Sequence, residues 1–274
     1  FNQGFDTYES CSEVAMPIDA FQGTKNPDRL DMHEESHGGL TSPALLERSM
    51  EWLNAAAAKD DPFFLFVHWW DPHYDYGPPQ AYAEMFDPDY AGDADATKFY
   101  LGGQAKTARD MDHVLSMYDA EIRYTDDHIA KLIDRIDSLG LAEETLIIFT
   151  ADHGDEFYEH GKKGHQRNFY DESVRLPLVM RMPGELPAGQ TVNRLARIQD
   201  LAPTILDLCD VAAPTYFEGT SLRSLWDKTI AQDVVPMSPI QVFGLDLPAR
   251  NMLKTGLRRK DVKVTWDYTE NTGE

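Results

Sequence analysis

Two stretches of this chain are apolar almost throughout, and each stops abruptly on ionisable residues. Residues 63–70 (FFLFVHWW) run into Asp71-Pro72-His73, and residues 146–149 (LIIF) run through Thr150-Ala151 into Asp152-His153-Gly154. A strand without polar alternation predicts a sheet covered on both faces, as parallel strands are. A third apolar run, LPLVMRMPG at 176–184, reads the same way. In such sheets ligands bind beyond the carboxyl ends of the strands, which is where these ionisable residues stand.

Helical patterns separate the runs. SPALLERSMEWLNAAAAK (42–59) predicts a helix with Ser42 as cap and Pro43 in its first turn. Between 107 and 140, Met111, Val114, Leu115, Tyr118, Ile122, Ile129, Leu132, Ile133 and Ile136 recur at intervals of three and four, with Gly140 as the stop. LARIQDLAPTILDLCDV (195–211) predicts a helix broken or entered at Pro203. The alternation predicts an α/β fold, a mostly parallel sheet sandwiched by helices. From Ser221 the pattern changes to short segments such as PIQVFGL and DVKVTW, so a catalytic α/β domain is expected over 1–220 and a small C-terminal α+β subdomain over 221–274. Residues 1–40, polar and rich in Gly, Asp and His, read as a long irregular segment. The ends, FNQGFDTYES and YTENTGE, are expected to be cuts within a longer protein.

Charge narrows the partners. With 25 Lys+Arg against 47 Asp+Glu, the formal charge is −22, which argues against nucleic acid, whose phosphates need clustered cations. Two cysteines, Cys11 and Cys209, exclude a disulfide framework and a Cys-rich zinc site. No run reaches the roughly 18 apolar residues of a membrane-spanning helix.

The chemistry concentrates in TADHGDEFYEHGKKGHQRNFY (150–170), which holds three histidines. Asp152 and His153 can share an ion only if the strand has ended and the chain is turning, which Gly154 permits. A carboxylate with an imidazole suits Zn, Mn or a mixed site, whereas Ca prefers oxygen donors. The alternative is an Asp capping the next helix beside a solvent-facing His, and spacing leaves the two evenly balanced. His73 is a candidate general acid or anion donor, or else a turn histidine among aromatics. Trp69, Trp70, Tyr74 and Tyr76 suit core packing better than a sugar-stacking wall, and His68 reads as a core residue. His165, with Lys162, Lys163 and Arg167, forms a local cationic cluster suited to an anion; the alternative is charge balance beside Asp155, Glu156 and Glu159. His160 is left undecided between structural and functional roles. A second basic run, Arg250, Lys254, Arg258, Arg259, Lys260 and Lys263, reads as an exposed hairpin ahead of a substrate-attracting patch. Asp126-Asp127 reads as a solvated helix face.

Taken in order, FFLFVHWWDPHYDYGPP, LIIFTADHGDEFYEHG, GHQRNFYDESVRLPLVMRMPG and IQDLAPTILDLCDVAAPTYFEGTSL, with GFDTYE ahead of them, resemble a sulfatase of the alkaline phosphatase superfamily over roughly residues 1 to 225. The resemblance implies that Asp152 and His153 are metal ligands, matching the family's Asp-Asn or Asp-His pair. It implies that His73 contacts the sulfate and protonates the leaving oxygen. His165 falls near the family's sulfate-binding Lys; that position is Gln166 here, so His165 or Lys163 is expected to substitute. The implied reaction is metal-dependent hydrolysis of a small-molecule or glycan sulfate ester, with Ca as the ion and a formylglycine nucleophile. That nucleophile arises from a Cys/Ser-x-Pro-x-Arg motif that the chain lacks, and Cys11, in SCSEV, does not supply it. The first third of the catalytic domain is therefore expected to lie outside this chain, which alone is expected to be inactive. The resemblance favours a periplasmic or extracellular protein. Two rivals remain: a phosphodiesterase or phosphonate monoester hydrolase of the same superfamily, using Mn or Zn, and a non-catalytic relative that binds a sulfated glycan or a protein.

Overall fold

The computed structural model describes residues 5–9, 40–59, 61–74, 76–102, 105–165, 168–229, 237–243, 253–259, 262–267 and 272–273. Cys11, Gln166, Arg167, Arg250 and Lys260 lie outside the described residues, as does nearly all of the segment 1–40. The chain divides into two compact units, Phe1–Ala142 and Glu143–Glu274, and the expected boundary near residue 221 falls inside the second.

The first unit is helical. α1 (Ser42–Ala57), α2 (Gln80–Phe86) and α3 (Ala108–Ser138) are its main elements, with a 3-10 segment at Ala96–Leu101. α3 starts on a capping box, in which the Thr107 hydroxyl accepts from Asp110 N–H while the Asp110 carboxylate accepts from Thr107 N–H. It stops where Gly140 takes φ +75°, as expected. Its buried stripe, however, is Val114, Met117, Ala120, Glu121, Thr125, His128, Leu132 and Ile136, while Ile122 is exposed. The polar members are satisfied in place: the Glu121 carboxylate accepts from Gly77 N–H at 2.5 Å, and His128 Nδ1 lies 2.8 Å from the Tyr124 carbonyl.

Two expectations change here. Ser42 does not cap α1 through its own side chain; the cap comes from a residue 29 positions away. The Asp71 carboxylate, 6% exposed, accepts from the backbone N–H groups of Thr41 and Ser42 and from both their hydroxyls, at 2.6–3.2 Å. A buried anion at a helix N-terminus satisfies otherwise orphaned donors and meets the positive end of the helix dipole. Residues 63–70 have no ladder partner among the described residues, and their exposure alternates. Phe63 packs edge-on against Trp52 of α1, while Phe64, Phe66 and Trp70 are exposed. The run is thus covered on one face only, not on both.

In the second unit, β1 (Ile147–Thr150) pairs with β4 (Leu178–Arg181), β2 (Glu156–Phe157) with β3 (Lys163–Gly164), and β5 (Met237–Phe243), β6 (Leu253–Arg259), β7 (Val262–Asp267) and β8 (Thr272–Gly273) form a meander. Every ladder among the described residues is antiparallel, so the parallel pairing expected of the apolar runs is not among them. Among the described residues, the connection from β1 to β4 contains only the β2–β3 hairpin and the four-residue helix α4 (Asp171–Val174). It holds no crossover helix of the kind that returns a chain to a parallel start. The C-terminal strands appear where the sequence pattern changes, and α5 (Leu201–Leu208) carries Pro203 in its first turn, so Pro203 marks an entry rather than a break.

Candidate active site

β1 ends at Thr150, and the chain bends at Asp152. The next element is the β2–β3 hairpin, not a helix, so the reading of Asp152 as a helix cap is excluded. The Asp152 side chain is 70% exposed; its Oδ1 accepts from His153 N–H at 3.0 Å and stands 3.9 Å from His153 Nε2. Two ligand atoms each about 2.1 Å from one ion lie no more than about 4.2 Å apart, so this spacing fits a shared ion. Gly154 serves by close approach rather than by an unusual backbone angle. Its N–H donates to the Ser173 carbonyl at 3.0 Å, and a Cβ there would lie 2.1 Å from the Glu172 carbonyl oxygen.

The hairpin register then pairs residues that the sequence keeps ten apart. Glu156 faces Gly164 and Phe157 faces Lys163, so Asp155 and His165 are the next opposed pair. His165 Nδ1 lies 2.8 Å from Asp155 Oδ1, with both side chains buried. An ionised carboxylate can only accept, so Nδ1 carries a proton and Nε2 is the ring position left for exchange with another group. The His165 ring stacks on His153, centroids 3.7 Å apart at 26°. The turn that brings this about uses Tyr158 at φ 72° and Gly161 at φ 75°, closed by Tyr158 N–H to the Lys162 carbonyl at 2.8 Å.

Of the expected site residues in this unit, Asp152, His153 and His165 come together. Lys163 is half-buried in β3, and Lys162 is exposed. His73 belongs to the first unit, where its Nδ1 lies 2.7 Å from the Tyr74 carbonyl and its ring packs against Trp70 and Tyr74 at 4.8 and 4.3 Å. It sits directly after Pro72 and the buried Asp71 that caps α1.

Asp155 does more than balance charge, and the sequence signal for it is the hairpin: equal steps outward from the 158–162 turn lead to 155 and 165. Glu156 also has a role that sequence reasoning misses. It is 1% exposed, its Oε2 has no hydrogen-bond partner among the described residues, and burial pushes its carboxyl above the usual carboxylate range despite a hydrogen bond with Asn168. His160, undecided in the sequence, stacks on Tyr170 at 3.5 Å and lies 3.4 Å from Glu172 Oε2, a structural setting.

A profile of the sulfatase family matches residues 2–211. Among characterised proteins, the chain is similar to the ulvan-active sulfatase of Formosa agariphila, 30% identical over 233 residues, 81% of this chain and 42% of that protein. It therefore spans less than half the length of that relative. Among solved structures it is similar to BT4656 in complex with its substrate D-glucosamine-2-N,6-O-disulfate, with TM-score 0.70 and 19% identity over 85% of this chain and 62% of that one. It is also similar to the phosphonate monoester hydrolase of Agrobacterium radiobacter, with TM-score 0.66 and 19% identity over 94% and 60%. The structural likenesses show the α/β fold, and the profile match over most of its length places this chain in the sulfatase family.

Proposed function

We propose that this chain forms part of the catalytic domain of a metal-dependent sulfatase that hydrolyses a sulfate ester, with the nucleophile supplied from outside the chain. The observation that carries the reading is the Asp152-His153 turn backed by the buried Asp155–His165 pair, within a sulfatase-family sequence. Asp152 and His153 would hold a divalent ion, which when bound supplies charge to neutralise the sulfate oxygens. Ca is the ion favoured by family resemblance, whereas an imidazole donor suits Mn or Zn. Asp155 holds the Nδ1 proton and ring plane of His165, so that Nε2 is the position that would exchange a proton with the substrate. His165 or His73 is the proton donor to the departing alcohol, and Lys163 is a second cation for the anion.

The substrate class we favour is a sulfated saccharide. The ulvan-active relative and the glucosamine disulfate complex support it, as do the exposed Trp70 and the half-buried Tyr74 flanking His73. Export to the periplasm or beyond belongs to the same proposal. A phosphonate monoester hydrolase is the second reading, favoured by the imidazole donor and by the Agrobacterium likeness.

The test is release of inorganic sulfate from 4-nitrophenyl sulfate by the full-length protein loaded in turn with Ca, Mn and Zn. Asp152→Ala should abolish turnover and metal retention together. Asp155→Asn should lower kcat by about 10²–10³-fold, the usual scale for a mispositioned acid–base group. Cleavage of a phenylphosphonate ester without sulfate release would select the second reading, and unchanged turnover in Asp152→Ala would reject the metal assignment.

A further inference from the structure

The C-terminal basic run is absorbed neither by the reaction nor by an exposed hairpin. Arg258 on β6 and Lys263 on β7 are direct cross-strand partners. Like charges placed opposite each other destabilise a ladder unless an anion lies between them. Here one does, and it comes from the loop after His165. Both terminal guanidinium nitrogens of Arg258 donate to Asp171, Nη1 to Oδ1 and Nη2 to Oδ2, while Lys263 Nζ donates to Asp171 Oδ1 at 3.0 Å. Lys263 also donates to the Phe169 carbonyl at 2.5 Å and sits 5.7 Å from the Tyr170 ring centroid. Phe169, 2% exposed, presses on Gly256, where a Cβ would lie 3.4 Å from its ring. Gly256 and Arg258 share one face of β6, and Arg259 is on the other.

The grip is transmitted onward. Asp171 opens α4, whose Glu172 carbonyl closes over Gly154 and whose Ser173 carbonyl accepts the Gly154 N–H. We propose that the β6–β7 hairpin is a positioning device: Arg258 and Lys263 hold residues 169–171 and through α4 set the turn that carries His153. Asp171, with its carboxyl held down to about 2, chiefly by the Arg258 fork, stays ionised across the working pH range and keeps the grip closed. The catalytic arm of this inference rests on the sulfatase reading; the structural arm does not.

The test uses Asp171→Asn, Arg258→Lys and Lys263→Gln, with Arg259→Gln as the charge-matched control. Amide exchange at Gly154, followed by hydrogen–deuterium exchange in the full-length protein, should quicken about ten-fold or more in Asp171→Asn and Lys263→Gln, less in Arg258→Lys, and not in the control. In the full-length protein with 4-nitrophenyl sulfate, kcat should fall by at least about ten-fold with KM within about three-fold, because displaced catalytic groups lose rate rather than binding. Unchanged exchange at Gly154 in all three variants overturns the proposal. So does a KM that rises with salt in Lys263→Gln yet falls in Asp171→Asn, since freed cations would then be binding the substrate directly. Faster exchange in a protein that turns over no sulfate ester supports the grip and removes only the sulfatase reading.

Discussion

Gly154→Ala is the smallest change that should separate the candidate active site from the rest of the fold. The added Cβ would stand 2.1 Å from the Glu172 carbonyl oxygen, where real side-chain carbons keep at least 3.0 Å. Both partners are backbone, so no rotamer change relieves the clash; the 152–154 turn and α4 must part by about 0.9 Å, the difference between those two distances. Parting them stretches the Gly154 N–H bond to Ser173 beyond its 3.0 Å. Overpacking of this kind costs about 1–3 kcal/mol, and the weakened hydrogen bond adds about 1 kcal/mol. At about 2–4 °C per kcal/mol for a chain of this size, the melting temperature should fall by roughly 4–16 °C. Displacing His153 by nearly an ångström should also lower kcat/KM by about 10²-fold in the full-length protein. Differential scanning calorimetry and sulfate release read the two effects separately. A melting temperature within about 1 °C of the parent, well short of the expected drop, with turnover intact, would show that Gly154 does not approach α4 as described.

Two further perturbations test the buried carboxylates, and their signs differ. Burial raises the Glu156 carboxyl above its ordinary 4.5, so its stabilising contribution is complete below about that pH and is lost as pH rises through the higher folded value. Glu156→Gln should therefore stabilise the chain by about 1 kcal/mol at pH values where the carboxyl is ionised, and the gain should vanish as pH falls below its ordinary 4.5. Melting temperature against pH gives the sign, and destabilisation at about pH 8 would refute it. Asp71→Ala removes the acceptor for Thr41 and Ser42 and should cost about 2–4 kcal/mol in urea unfolding, with Asp71→Asn costing less; a loss under about 0.5 kcal/mol would reject the cap.

Much of this architecture is legible in the chain. α1, α3 with its Gly140 stop and α5 entered at Pro203 follow from local periodicity and turn chemistry, which need no tertiary partner to be recognised. Asp152, His153 and His165 stand out because an ionisable pair directly after an apolar strand is costly unless it faces something. Pairing direction is not legible. The apolar content of residues 63–70 and 178–181 says that faces are buried, not which strand lies alongside, and Phe64, Phe66 and Val179 are in fact exposed. The long-range cap from Asp71 to α1 is invisible for a related reason: a cap usually comes from the neighbouring residue, and Ser42 and Thr41 both suit that role. The basic run looks exposed in sequence because its partner, Asp171, lies 87 positions before Arg258.

The connection from β1 to β4, residues 151–177, has the length and polarity of a mobile loop. It is instead fastened at three points by non-neighbours: Gly154 to Ser173, Asp155 to His165, and Asp171 to Arg258 and Lys263. The order of these fastenings matters. The hairpin pairs Asp155 with His165 without help from elsewhere, because its register leaves them opposite. The Gly154–Ser173 contact then needs α4 in place, and α4 is held by the C-terminal strands. A site assembled this way has its acid–base histidine fixed locally and its His153 turn fixed remotely. Damage to the β6–β7 hairpin should therefore disturb His153 while leaving the His165–Asp155 pair intact. Only a site whose metal-side and proton-side groups are tethered separately would show that split.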